Sequence, residues 1–234
     1  IAMNNNRQIE DIPVVMISAE NGIEHIERAY DLGVTDYISR PFDCMVVRRR
    51  VVNALILAAK QKRLMRLAAE QIYEKEKISD LMINIFSHIV EFRNGESGPH
   101  VLHIRTITEV LLNRLVQKTD RYSLTQEDIQ LISSASALHD IGKVSIPDEI
   151  INKPGKLTKE EFEIMKSHTT VGADILHDLP FSNEEPLLKT VYEIARWHHE
   201  RYDGRGYPDG LTGEEIPIAA QVVSVADVYD ALTS

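Results

Sequence analysis

Apolar positions early in the chain come in short runs rather than at helical spacing. Residues 13–19, Pro13-Val14-Val15-Met16-Ile17-Ser18-Ala19, form such a run, rich in β-branched side chains, and predict a buried parallel strand. A helical stretch follows over 21–32, closed by Gly33, and 34–39 predicts a second strand that ends at Arg40-Pro41-Phe42-Asp43. Strand, helix, strand, proline, helix is the back half of a doubly wound α/β unit. Over 45–93 the pattern changes: proline and glycine are absent and Lys, Arg, Glu and Ala abound, which predicts one long helix. Leu57, Leu64, Ile78 and Ile85 recur at multiples of seven, with Gln71 interrupting. That imperfect heptad seam fits either a helix paired across a homodimer or a connector packed on its own domain.

The helix breaks at Asn94-Gly95. Amphipathic helices are then expected over 101–117, 125–138, 158–178 and 184–197. Turns fall at Lys153-Pro154-Gly155, Asp178-Leu179-Pro180 and the glycine-rich stretch 203–213. Thr158 and Glu161 make a capping box for the helix that begins there. Strand signal is almost absent from residue 80 onward, so the second half is expected to be all-α. The chain opens on Ile1 rather than Met and reads as a fragment.

Composition narrows the function. The formal net charge is −10, from 36 acidic and 26 basic residues, which argues against a general nucleic-acid binder. A single cysteine, Cys44, excludes an intrachain disulfide framework and a one-chain iron–sulfur cluster. Apolar runs are too short to span a bilayer and no signal peptide opens the chain, so a cytoplasmic protein is expected.

The chemistry gathers in the second half. Ala137-Leu138-His139-Asp140-Ile141-Gly142-Lys143, if helical, sets His139 and Lys143 on one face with Asp140 a step around. An imidazole beside a carboxylate can chelate a divalent metal, and a lysine one turn on can hold an anion. An adjacent His-Asp is often only a helix-end ion pair, but His168, His198-His199 and Asp227 follow it. Burying so many imidazoles and carboxylates together without a metal would be costly.

The order His-Asp…Lys, His, His-His, Asp resembles the HD superfamily of metal-dependent phosphohydrolases. His198-His199-Glu200-Arg201-Tyr202-Asp203-Gly204-Arg205-Gly206-Tyr207-Pro208 narrows the resemblance to the HD-GYP family. It covers roughly residues 80–234. The Glu-Ser-Gly-Pro-His run at 96–100 resembles the version found in members that hold three metals. The resemblance therefore implies eight ligands: Glu96, His100, His139, Asp140, His168, His198, His199 and Asp227, with Asp140 bridging. His103, one turn beyond His100, is a competing ligand; His25, His88 and His177 match no motif. Imidazole and carboxylate without thiolate suit iron or manganese, with nickel or zinc as alternatives. Two or three divalent ions against three carboxylates leave a net positive site in an acidic protein, suited to a phosphodiester.

The implied activity is metal-dependent hydrolysis of cyclic di-GMP to linear pGpG and GMP. Asp140 and Lys143 are the implied catalytic residues, and Arg201, Asp203, Gly204, Gly206, Tyr207 and Pro208 the implied substrate wall. A diguanylate cyclase is an implied partner at the Gly-Tyr-Pro loop. The competing functions are a cyclic-dinucleotide-binding regulator without turnover and a di-iron HD-type oxygenase.

Residues 13–43 resemble the second half of a response-regulator receiver. Ser18 stands at the phosphoryl-sensing hydroxyl, Tyr37 at the aromatic switch, and Arg40 where a lysine is usual. The earlier acidic pair and phosphoacceptor are missing, so no phosphoryl uptake is expected. The expected organisation is a partial receiver-like α/β segment at 1–44, a connector or dimerisation helix at 45–93 and an HD-GYP domain at 94–234. Gln221 replaces an arginine usual after Ala220. In HD-GYP relatives the helix that starts near Asp227 continues through an Arg-x-Tyr-Lys segment beyond this sequence. The fragment is therefore expected to bind metal but to hydrolyse its substrate poorly.

Overall fold

The computed structural model describes residues 12–94, 99–180 and 184–233. The chain forms two compact units, one ending at Glu76 and one starting at Lys77.

In the first unit β1 (Val15–Ser18) and β2 (Asp36–Ser39) flank α1 (Ile23–Asp31). The strands pair in parallel, Val15 opposite Asp36 through Ser18 opposite Ser39. Gly33 takes a positive φ of 87° after α1, where a side chain would be strained, and so turns the chain back to the sheet. Ala29 of α1 packs on Val34 and Tyr37. The first strand departs from expectation in one respect. Parallel pairing is as the β-branched run suggests, but Met16 and Ile17 are 42% and 41% exposed rather than buried. Among the described residues the sheet has only two strands, too few to cover both faces of β1. The Tyr37 hydroxyl donates to the Glu20 carbonyl, and Ser18 Oγ accepts from the Glu20 amide.

The proline-free stretch forms one helix, α2 (Cys44–Asn94), of 51 residues. Asp43 starts it by accepting from the Met45 and Val46 amides. The heptad positions Leu57, Leu64, Ile78 and Ile85 are all exposed.

The second unit is all-helical. It contains the end of α2 and α3 (Pro99–Lys118), α4 (Gln126–Ser136), α5 (Asp148–Ile151), α6 (Lys159–His177), α7 (Pro186–Trp197) and α8 (Ile218–Thr233). Short 3-10 turns lie at Ile141–Ser145 and Gly213–Glu215. Helix α3 packs on α4 and α8, and α7 on α4, α6 and α8. Their shared core holds the fully buried Ile104, Leu112, Val191, Ile194 and Val223. Truncating Ile104, Leu112 or Ile194 to alanine would cost about 2–5 kcal/mol. Both Thr158–Glu161 and Thr125–Asp128 close capping boxes. No helix among the described residues is long and apolar enough to cross a membrane.

Two expectations are corrected here. The stretch 137–143 is not α-helical: α4 ends at Ser136, and the chain continues through i→i−3 bonds such as His139 N to Ser136 O and Lys143 N to Asp140 O. With three residues per turn, Lys143 stands over Asp140 rather than over His139. Glycine dictates the close fit, because a Cβ on Gly142 would lie 1.9 Å from the His168 carbonyl oxygen of α6. The last helix begins at Ile218, nine residues before Asp227, so Asp227 lies in its third turn rather than at its start. Ala219, Ala220, Val222, Val223 and Ala226 bury that earlier part.

Candidate metal centre

Five elements of the second unit converge on the site. The turn after α4 supplies His139 and Asp140, α6 supplies His168, the end of α7 supplies His198 and His199, α3 supplies His100 and α8 supplies Asp227. They form two donor groups, Asp140 with His168, His198 and His199, and His100 with His139 and Asp227. Within each group the donor atoms lie within 4.8 Å of one another.

The ring orientations are set by the backbone. His139 Nδ1 lies 2.9 Å from the Ser136 carbonyl, His168 Nδ1 2.7 Å from Met165 and His198 Nδ1 2.9 Å from Ile194. A carbonyl only accepts, so each Nδ1 carries a proton and the Nε2 of each ring is turned to the centre. The bare Nε2 atoms of His168 and His198 face each other at 3.5 Å. His139 Nε2 and Asp140 Oδ1 are buried and have no hydrogen-bond partner. Lone pairs aimed at one another in a buried pocket are costly unless a cation lies among them, so the donor set fits divalent metal binding.

Electrostatics agree. Burial pushes the pKa of His199 down to about 3 and that of His198 well below the ordinary imidazole value, which keeps both neutral, as ligands must be. Burial lowers that of His168 as well. His139 differs. Burial opposes its charge, but Asp140 beside it and Asp227 beyond raise its pKa to about 9. Burial would raise the Asp140 carboxyl, yet His139 and Lys143 hold it well below the usual carboxylate range. Lys143 Nζ lies 2.7 Å from Asp140 Oδ2.

The loop after His199 folds back onto the site. Gly206 leaves no room for a Cβ, which would lie 2.4 Å from Glu200 Cα, and so the next residue meets the histidines. Tyr207 stacks on His199 with centroids 4.8 Å apart and donates its amide to the His199 carbonyl. Burial, with Asp140 and Asp227 nearby, pushes the Tyr207 phenol up, so it stays protonated. Gly204, Gly210 and Gly213 take positive φ in the turns of this loop. Tyr207 and Pro208 share a cis peptide bond. Arg201 and Asp203 pair with each other at the exposed outer edge of the loop, Nη2 to Oδ2 2.9 Å.

Of the eight expected ligands, seven are therefore brought together in two groups, while Glu96 lies outside the described residues. His103 joins neither group; its Nδ1 contacts Asp230. Gln221 donates to the Ile216 carbonyl at 2.8 Å and so supports the turn before α8.

Sequence reasoning missed two polar residues. Glu200 is 4% exposed, and its carboxylate accepts from the amides of Asp209, Gly210 and Leu211. Asp230 is also 4% exposed and lies against both His100 and His103. Spacing offered a hint for Asp230, which follows Asp227 by three residues on one helix face. Nothing local signalled the role of Glu200, because its three donors lie nine to eleven residues on.

Fold and site together define a helical domain built around a His/Asp metal-binding cluster. The HD domain profile matches residues 55–234, and the chain belongs to that family. A probable cyclic di-GMP phosphodiesterase of Vibrio cholerae is 34% identical over 98% of this chain and 54% of its own length. The cyclic di-GMP phosphodiesterase response regulator RpfG of Xanthomonas campestris is 34% identical over 96% of this chain and 58% of its own. A 3'3'-cGAMP-specific phosphodiesterase of Vibrio cholerae is 39% identical over 68% of this chain and 28% of its own. The chain thus spans little more than half the length of the first two.

Proposed function

We propose that this chain carries the catalytic domain of an HD-GYP phosphodiesterase that opens cyclic di-GMP to linear pGpG and, by a second cleavage, GMP. The observation that carries the reading is the convergence of bare imidazole nitrogens on the Asp140 carboxylate, beside a second group sharing the same wall. His100, His139, Asp140, His168, His198, His199 and Asp227 hold two divalent ions, iron or manganese by donor type, and Glu96 adds a ligand for a third. When bound, such ions supply Lewis-acid charge and an activated water for in-line attack on phosphorus.

The chain's own residues do the rest. Asp140, held ionised, lies between the two groups: Oδ1 is 3.4 Å from His168 Nε2 and Oδ2 is 3.2 Å from His139 Nε2. Lys143 keeps an ammonium beside the cluster, where it neutralises charge growing on phosphoryl oxygens. Tyr207 closes one side and, keeping its proton, offers a neutral hydrogen-bond donor to the ligand. The Arg201–Asp203 pair and the glycine turns shape the outer rim. The names of the relatives support cyclic dinucleotide chemistry, and RpfG supports a response-regulator setting in which 1–44 belongs to a receiver. In the same proposal 45–93 joins two copies through its exposed heptad positions, 94–234 is the hydrolase domain, and the Gly-Tyr-Pro loop receives a diguanylate cyclase.

The test is elemental analysis of protein purified without chelator, with turnover of cyclic di-GMP and 3'3'-cGAMP measured in parallel. Two to three metals per chain and faster release of pGpG are expected, both lost in Asp140→Ala. A reproducible content of one metal or fewer would refute the two-group reading. Faster cleavage of 3'3'-cGAMP would reassign the substrate.

A further inference from the structure

His139, His168 and His198 each donate Nδ1–H to a carbonyl three or four residues back on their own segment. His100 cannot do the same. It is the second residue of α3, so the helix holds no carbonyl three or four positions before it. Its Nδ1 instead lies 2.7 Å from Asp230 Oδ2, a carboxylate on α8 that is 4% exposed. The other oxygen, Oδ1, lies 2.9 Å from His103 Nδ1. Asp227, one turn earlier on α8, brings its own carboxylate within 3.9 Å of the His100 Nε2.

We infer that Asp230 is the positioning residue of the His100–His139–Asp227 metal position, holding His100 as the Nδ1–H tautomer with Nε2 turned to the metal, while His103 steadies the carboxylate. This rests on the reading of that group as a metal position. A carboxylate behind a histidine ligand fixes the ring and raises its basicity, and loss of such a partner typically weakens metal affinity about 10- to 100-fold. One helix therefore supplies a ligand, Asp227, and the support of another, His100, from residues three apart. The other group, Asp140 with His168, His198 and His199, has no contact with Asp230 among those described, so the effect should be confined to one position. His103, one turn from His100, lies on the other oxygen of the same carboxylate and joins neither donor group.

The probe is Mn2+, with free ion counted by electron paramagnetic resonance over a titration of the metal-free full chain. Melting temperature and helicity establish folding, and the parent should show at least two classes of site. Asp230→Asn keeps the shape and removes the charge; it should weaken one class about 10- to 100-fold and leave the other at parental affinity. His100→Ala should abolish that same class, and adding Asp230→Asn to it should change nothing further. Nitrogen-15 spectra of the metal-free parent should show His100 as the Nδ1–H tautomer, with that preference reduced in Asp230→Asn. If Asp230→Asn does not fold, His103→Ala frees only one carboxylate oxygen and should weaken the same class to a smaller extent. A folded Asp230→Asn with parental binding overturns the inference, as does weakening of the remaining class in the His100→Ala background. With Asp230→Asn unfolded, parental binding in His103→Ala overturns it too. A parent binding one Mn2+ or none overturns the two-group reading itself and the inference with it.

Discussion

Glu200→Gln is the sharpest test of how the loop is held over the site. The carboxylate Oε1 accepts from the Asp209 and Gly210 amides at 2.7 and 2.9 Å, and Oε2 from the Leu211 amide at 3.1 Å. Hydrogen bonds to a charged group are worth about 1.5–3 kcal/mol each, neutral ones about 0.5–1.5 kcal/mol. Glutamine can put its oxygen where Oε1 stands and keep two bonds at neutral strength, losing about 1 kcal/mol on each. Its NH2 then faces the Leu211 N–H, donor against donor, so the third bond is lost and that amide is left unsatisfied at about 1–3 kcal/mol. The sum is about 3–5 kcal/mol in favour of an open loop.

Amide exchange reads this directly. At 1.4 kcal/mol per factor of ten, the amides of Asp209, Gly210 and Leu211 should exchange at least about 100-fold faster in the variant. Amides in the core of α7 should change little if the loop opens by itself. Where the loop opens only with the whole unit, the melting temperature should fall by about 2–4 °C for each kcal/mol. Parental exchange at 209–211 together with a parental melting temperature would refute the latch.

Gly142→Ala forces a Cβ to within 1.9 Å of the His168 carbonyl and 2.6 Å of the Gly172 amide, both backbone atoms. The 3-10 turn must then lift off α6, at about 3 kcal/mol or more, and metal content per folded chain should fall well below the parent. Asp209 takes two bonds from Arg196, at 2.8 and 2.9 Å, and one from Trp197, and the Arg196 bonds above all hold its carboxyl below the usual value. A depressed folded pKa gives stability that is fully present above the unfolded value, about 3.9, and lost as pH falls through the folded one. The parent should therefore melt above Asp209→Asn at pH 6, with the gap closing below about pH 4; a gap independent of pH would contradict this. Thr158→Ala removes one side of the capping box of α6 and should cost about 1 kcal/mol, read as a drop of about 2–4 °C in thermal melting followed by circular dichroism.

The elements that sequence made legible are those whose signal is local. The absence of proline and glycine over 45–93 marks α2 to within a residue at either end, and Thr158 with Glu161 marks the start of α6. The failures came where tertiary contact decides. For residues 137–143 a helix was a conditional reading, one that would set Lys143 over His139. The chain tightens into a 3-10 turn instead, because Gly142 must lie flush on α6, a constraint set by His168 and Gly172 some thirty residues on. The last helix was expected to start near Asp227, nine residues late, because the motif marks the ligand and not the apolar turns before it, which pack on α3 and α7. Exposure of Met16 and Ile17 was equally invisible, since a β-branched run says nothing about how many strands cover it.

The side chains that converge on the candidate site were legible for a different reason. A motif records candidate ligands because a metal needs particular atoms, whereas the groups that aim those atoms can be anything that accepts a hydrogen bond. Three histidines use main-chain carbonyls, which no sequence pattern records. His100, by contrast, sits where its helix has no carbonyl to give, and there a side chain, Asp230, takes that place. The same logic applies to Glu200, whose carboxylate gathers three amides where the returning loop has no strand or helix to pair them. Both carboxylates are nearly inaccessible to water, and both stand where regular secondary structure leaves polar groups unpaired. A buried acid at the first turn of a helix that carries a histidine, or beside a glycine-rich return, is therefore where the supports of such a site should be sought. Here those positions are Asp230 on α8, against His100, and Glu200, against the amides of Asp209, Gly210 and Leu211.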